Sequence, residues 1–128
     1  MLTFLFWNTN KQKKALEIIF ELAWDYEVDI LMLAESIFEP QEILTKLNDR
    51  KTLYSFSKGE CKRIQIFTRF SHTFVKPLSE GEKYAIRHIS RPAREDLILV
   101  VAHLSSKMYA KESDQMLDCS NLADEVRR

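Results

Sequence analysis

The reading of the fold turns on two short stretches, TFLFWNTN at residues 3–10 and DILMLAES at residues 29–36. In each, a run of apolar residues stops at a polar one. Leu2 to Trp7 is aromatic-rich and too continuously apolar for a one-sided surface strand, so it reads as a buried strand ending at Asn8. Ile30 to Ala34 reads as a second buried strand ending at Glu35. Between them lies a helical pattern over residues 11–26, with Leu16, Ile19, Phe20, Ala23 and Tyr26 on one face and Lys11, Lys13, Lys14 and Glu17 on the other. Asn8-Thr9-Asn10 reads as the intervening turn, with Asn10 capping the helix. Strand, helix, buried strand is the βαβ pattern, which implies a parallel pair with a right-handed crossover.

Working outward, Glu39-Pro40 opens a second helix with proline at its first position and Ile43, Leu44 and Leu47 on its apolar side. The middle of the chain changes character. Leu53 to Phe56, Arg63 to Thr68, His72 to Lys76 and Lys83 to Ser90 are short candidate strands separated by turn signals at Lys58-Gly59 and Glu80-Gly81. They read as an antiparallel meander with one wetter face. Leu97 to Ala102 is again wholly apolar, which predicts a central position in the sheet. Ser113 to Arg128 reads as a closing helix with Met116, Cys119, Ala123 and Val126 on one face. It carries no C-cap glycine, which suggests a natural chain that continues. The expected fold is α/β (α+β), a mixed β-sheet with flanking helices, in one domain spanning residues 1–128.

Composition narrows the function classes. The 128 residues hold 19 basic and 19 acidic side chains, a formal net charge of zero, so no global field points to nucleic acid or an anionic membrane. With only two glycines, neither a P-loop nor a dinucleotide fingerprint is present. No apolar run is long enough to span a bilayer, and no signal-peptide layout opens the chain. Cys61 and Cys119 match no metal spacing and read as reduced thiols, which points to a cytoplasmic setting.

The chemistry sits at three strand ends: Asn8, Glu35 and His103. Ends of buried strands are rigid, and α/β proteins build sites just beyond them. A carboxylate and an amide carbonyl suit a hard cation such as Mg²⁺. An imidazole beside them can orient or neutralise a phosphate oxygen, a set that fits metal-assisted hydrolysis of phosphate esters. Singly, each residue has a plainer reading. Asn8 begins a turn, Glu35 is solvated after a strand, and His103 is a half-buried histidine bonded to backbone. Arg91, Arg94 and Lys107 read as solvated charges, with phosphate contact as the rarer role. Tyr109 reads equally as packing or as a stacking platform. His72 and His88 carry no assigned chemistry.

TFLFWNTN followed by a helix and DILMLAES resembles the opening of the endonuclease/exonuclease/phosphatase superfamily. In that family a first strand ends in a metal-site asparagine, and an aspartate with a hydrophobic run leads to a metal-binding glutamate. Asp29, Ile30 to Leu33 and Glu35 follow that layout. LILVVAHLSSK at residues 97–107 is similar to the family's strand ending in His-Leu, whose histidine contacts the scissile phosphate. RIQIFTRF at residues 63–70 resembles the strand between, with Thr68-Arg69 in place of serine-arginine.

The resemblance implies half of a four-layer α/β-sandwich, because family members are roughly twice as long, a size suited to two packed sheets flanked by helices. It implies Asn8 and Glu35 as ligands of Mg²⁺ or Mn²⁺ and His103 as the catalytic residue on the phosphate side. The substrate would be a phosphate ester, with nucleic acid among the candidates. The family's later Asn-x-Asp and Asp-His motifs, which position and activate water, have no counterpart here. Asp118, Asn121 and Asp124 fall instead on a helical pattern. The expectation is therefore a truncated N-terminal half that holds metal weakly and turns over little alone. Its exposed apolar sheet face would favour self-association. Two rivals remain. One is a non-catalytic interaction module on the same scaffold. The other is an unrelated βαβ domain, in which Asn8, Glu35 and His103 would not converge.

Overall fold

The parallel pair expected from the two deciding stretches is present. In the computed structural model, which describes residues 2–50, 53–92 and 94–103, β1 (Phe4–Asn8) and β2 (Ile30–Ala34) run side by side. Phe4 lies opposite Ile30, and Asn8 opposite Ala34. The crossover is α1 (Lys13–Asp25), which buries Leu16, Ile19, Phe20 and Ala23, the i, i+3, i+4, i+7 set of one face. Asn10 does not cap it. The N-cap is Gln12, which makes no side-chain capping bond. Asn10 is left-handed at φ 50° and donates its N–H to Asn8 Oδ1. The far end closes in a Schellman motif: Val28 donates to the Ala23 carbonyl at 3.0 Å, Glu27 to that of Trp24 at 3.3 Å, and Glu27 takes φ 49°.

After β2 comes α2 (Pro40–Leu47), with proline in the first turn as expected and Ile43 and Leu47 buried. The Trp24 indole donates to the Leu47 carbonyl at 2.9 Å and ties the two helices together. A hairpin of β3 (Ser55–Ser57) and β4 (Ile64–Thr68) then joins the sheet, giving the order β1-β2-β4-β3 with β4 antiparallel to β2.

The remaining strands do not extend this sheet. A 3₁₀ turn (His72–Phe74) leads to β5 (Val75–Glu80), β6 (Tyr84–Ile89) and β7 (Leu97–Ala102), a separate antiparallel sheet in that order. The single mixed sheet of the sequence reading is therefore two sheets, a mixed one and a meander, packed face to face. Two cores follow. Leu31, Leu33 and Phe67 face α1 and α2, whereas Ile30, Met32, Ile64 and Ile66 face Val75, Ala85, Ile89 and Val101. All five residues of β2 are buried because it feeds both cores, as a continuous apolar run requires.

The expectation that β7 lies centrally is overturned. Among the described residues it is the edge of its sheet, and Ile98 and Val100 are exposed. An apolar run says nothing about a strand's lateral neighbours, and in β7 the face carrying Ile98 and Val100 is open as well. β1 is likewise an edge, with Phe4 and Phe6 exposed. Between the two edges the sandwich opens in a groove of about 310 Å³ whose lining includes Phe4, Phe6, Met32, Leu99 and Val101. The helix read over residues 113–128 lies outside the described residues. No helix among the described residues is long and apolar enough to cross a membrane.

Two polar clasps hold the layers. Asp29 accepts the Thr3 N–H at 2.8 Å and the Arg69 guanidinium at 2.9 Å, and its carbonyl accepts the Arg69 N–H. That fastens the start of β1 and the end of β4 to β2. Between the sheets, Arg87 and Glu80 form an ion pair at 2.6 Å with side chains only 2% and 5% exposed. It is a charge contact more than an aligned hydrogen bond, since Arg87 Nη1 and Glu80 Oε1 have no hydrogen-bond partner. Arg87 Nε also donates to Ser57 Oγ at 3.3 Å, and the Glu60 N–H donates to Glu80 Oε2. A Cβ on Gly59 would meet the side-chain ends of Arg87 and Glu80, so a larger residue in the β3–β4 connection would push the pair aside.

Removing one partner strands a buried charge. Arg87→Ala should cost about 3–5 kcal/mol in urea denaturation followed by tryptophan fluorescence. The double change Arg87→Met/Glu80→Leu, which removes both charges, should recover most of it.

Candidate functional site

Three strand ends meet at one end of the sandwich. The pairing of Asn8 with Ala34 brings Asn8 level with the end of β2, and Glu35 is the next residue. β7 arrives from the other sheet. Ala102 pairs with Tyr84, and the His103 N–H donates to the Lys83 carbonyl at 2.7 Å. His103 Nε2 then lies 3.4 Å from Asn8 Nδ2 and 3.4 Å from Glu35 Oε1. The three residues singled out in the sequence are thus brought together, and the unrelated βαβ alternative, which required them apart, loses its basis. The imidazole is 15% exposed and the carboxylate 31%, so the cluster lies at the surface with the histidine deeper.

The turn after β1 is shaped by backbone that few residues adopt willingly. Asn10, Lys11 and Glu35 have φ of 50°, 59° and 54°. The left-handed region costs a non-glycine residue about 1–2 kcal/mol, so it persists only where neighbours fix it. The Glu35 N–H donates to the Arg63 carbonyl at 3.1 Å, and its own carbonyl accepts from Lys11 N–H at 3.0 Å and from Thr9 Oγ1 at 2.7 Å.

The Asn8 amide is oriented by the Asn10 N–H, which donates to Oδ1 at 2.9 Å. Its nitrogen therefore faces the histidine. An amide nitrogen only donates, so Nε2 accepts from Asn8 when unprotonated and donates toward Glu35 when protonated. Both contacts are long for hydrogen bonds, and one nitrogen cannot serve both in a single tautomer. Nδ1 is buried with no hydrogen-bond partner. The ring is placed by its strand and packing, with Nε2 turned toward Asn8 and Glu35.

Other candidates separate from this cluster. Arg91 and Arg94 follow β6, at the Ile89–Leu97 end of the β6–β7 pair. Six strand residues put that about 20 Å from His103. The Arg91 guanidinium donates to the Glu95 carbonyl and Arg94 is exposed, in line with solvated charges. His88 pairs with Asp96 at 2.9 Å on the same distant side. Lys13 and Lys14 lie exposed on α1. Lys107, Tyr109, Asp118, Cys119, Asn121 and Asp124 lie outside the described residues. Cys61 is buried, and its thiol is pushed up chiefly by that burial, so it is no ready nucleophile. Among the described residues no group of three or more His, Cys, Asp or Glu side chains is arranged to hold a metal.

No protein-family model and no curated protein matches the sequence. Solved structures do. The fold is similar to D. rerio TDP2 complexed with single-strand DNA product, at TM-score 0.63 and 16% identity, over 99% of this chain and 55% of that one. It is similar to the endonuclease domain of TRAS1, a telomere-specific non-LTR retrotransposon, at TM-score 0.58 and 13% identity, over 94% and 53%. It is also similar to TDP2 from C. elegans, at TM-score 0.62 and 15% identity, over 98% and 42%. The chain therefore shares its fold with these structures, and it spans about half the length of the solved structures it matches.

If the three side chains share one space, changing one must be felt by the others. Asn8→Ala and Glu35→Gln should each shift the His103 ring ¹H–¹⁵N resonances, whereas Glu17→Gln on the outer face of α1 should leave them in place.

Proposed function

We propose that Asn8, Glu35 and His103 form part of a metal-dependent site for phosphate-ester hydrolysis, completed only in a longer protein, and that residues 1–128 make up the N-terminal half of its single domain. The observation that carries the reading is the meeting at His103 Nε2 of two side chains from one sheet with a histidine from the other. One structural neighbour is an endonuclease domain and another holds a single-strand DNA product, which supports a phosphodiester, and nucleic acid in particular, as substrate.

The donor set fits a hard divalent cation, Mg²⁺ or Mn²⁺, though thinly. Glu35 would contribute one carboxylate. Asn8 Oδ1, already accepting from Asn10, keeps a second lone pair for a metal. Such an ion, when bound, would draw charge from a phosphate oxygen and lower the barrier to attack. His103 Nε2, when protonated, donates to a phosphate oxygen and so orients the ester. No described side chain is placed to take a proton from water, so the reading includes little turnover by this chain alone. The non-catalytic module remains the rival on this same point, since a single carboxylate holds Mg²⁺ poorly.

Mn²⁺ titration observed by NMR separates them. Paramagnetic broadening should centre on Asn8, Glu35 and His103 at about millimolar metal, and Glu35→Gln should abolish it. Broadening elsewhere, or none, would sink the metal site. Hydrolysis of bis(p-nitrophenyl) phosphate should stay near background, and robust turnover would overturn the incompleteness.

We also propose that a second copy of the chain covers the open groove between β1 and β7. Among the described residues both strands offer unpaired backbone edges beside exposed Phe4, Phe6, Ile98 and Val100, and zero net charge sets no barrier between copies. Light scattering should give a dimer that Phe6→Lys returns to monomer. A monomer at all concentrations would refute this.

A further inference from the structure

Glu35 brings its carboxylate to His103 from a backbone conformation that glycine would adopt freely and glutamate does not. Something must hold it there. Its N–H is held by the carbonyl of Arg63, just before β4, which fixes only the entry to the residue. On the exit side, the Glu35 carbonyl is met by the Lys11 N–H, from a residue itself left-handed, and by the hydroxyl of Thr9.

Thr9 is unusual for a turn residue beyond an edge strand, being only 2% exposed. Its Oγ1 lies 2.7 Å from the Glu35 carbonyl and 3.1 Å from that of Ala34, while its N–H also donates to Ala34 at 2.9 Å. A hydroxyl has one proton, and the shorter contact is to Glu35. Branching at Cβ leaves threonine few χ1 choices, so the hydroxyl is aimed by the backbone of the turn. With that donor gone, the half-buried carbonyl of Glu35 would keep only Lys11 of these two donors, and the strained φ would lose its main restraint.

We infer that Thr9 is a positioning residue, whose hydroxyl locks Glu35 in the left-handed conformation that delivers its carboxylate to Asn8 and His103. This rests on the reading of those three residues as one site. Thr9 touches neither metal nor substrate and acts through Glu35 alone.

The test compares Thr9→Val, which keeps the shape and loses the donor, with Thr9→Ser, which keeps the donor. In the metal-free protein, the strong intraresidue HN–Hα NOE of Glu35 that marks a positive φ should vanish in Thr9→Val and persist in Thr9→Ser. Mn²⁺ affinity at Glu35 should fall about tenfold in Thr9→Val, the worth of one hydrogen bond, and stay within about twofold in Thr9→Ser. A Thr9→Val protein that keeps both the NOE and the affinity overturns the proposal, as does a Thr9→Ser protein that loses as much as Thr9→Val. Should Thr9→Val not fold, Thr9→Ala against Thr9→Ser makes the same comparison. Were the native chain to bind no Mn²⁺ at Glu35, the metal reading would fail, and the NOE comparison would still decide whether Thr9 sets the conformation of Glu35.

Discussion

A one-residue slip of β1 against β2 would turn Phe4 and Phe6 from the inter-sheet layer toward the helices and carry Asn8 away from Ala34. The site would then not exist, because Glu35 and His103 would face a different strand end. Two kinds of restraint prevent the slip. One is the alternation itself: Leu5 packs with the helical core, while Phe4 and Phe6 take the other side of the strand. The other is polar and sits at both ends of the pair. Asp29 holds the Thr3 N–H at one end, and the Ala34 carbonyl receives Thr9 at the other. The parallel register is thus pinned where it begins and where it delivers chemistry.

The same economy explains where the strain lies. Among the described residues four that are not glycine have positive φ, and three of them, Asn10, Lys11 and Glu35, lie in or beside the cluster. The fourth, Glu27, closes α1 in the role glycine usually takes. The β3–β4 connection, by contrast, has glycine where space is tight, at Gly59 against the Arg87–Glu80 pair. Glycine at residue 35 would relieve the backbone but remove the carboxylate. Glu35 keeps this backbone while bringing its carboxylate to His103, which supports a use for that carboxylate beyond solvation.

Much of this was legible in the sequence, for a physical reason. β1, α1, β2, α2 and the extent of β7 follow from local periodicity, and Asn8, Glu35 and His103 mark where apolar runs stop. What was not legible depends on partners distant along the chain. Ile64 and Ile66 read the same whether their layer faces a helix or a second sheet, so the two-sheet division was missed. β7 was read as central because an apolar run cannot say whether a strand is bonded on one edge or two. Thr9 was read as a turn residue, since a hydroxyl in a turn usually bonds within the turn. Its acceptors lie 25 and 26 residues away. Asn10 was read as a cap because capping propensity is local, while its actual conformation answers to Asn8 and to the strained turn.

The open groove and the cluster of Asn8, Glu35 and His103 are physically one feature. β1 and β7 line the groove, and the same two strands end in Asn8 and His103. A polypeptide pairing along either free edge buries Phe4, Phe6 and Leu99 and, by strand geometry, has one of its own ends beside His103. The second copy proposed for the groove would therefore lie next to the three clustered side chains. The fold brings Asn8, Glu35 and His103 together at the end of the groove, beside the two strand edges that are open among the described residues.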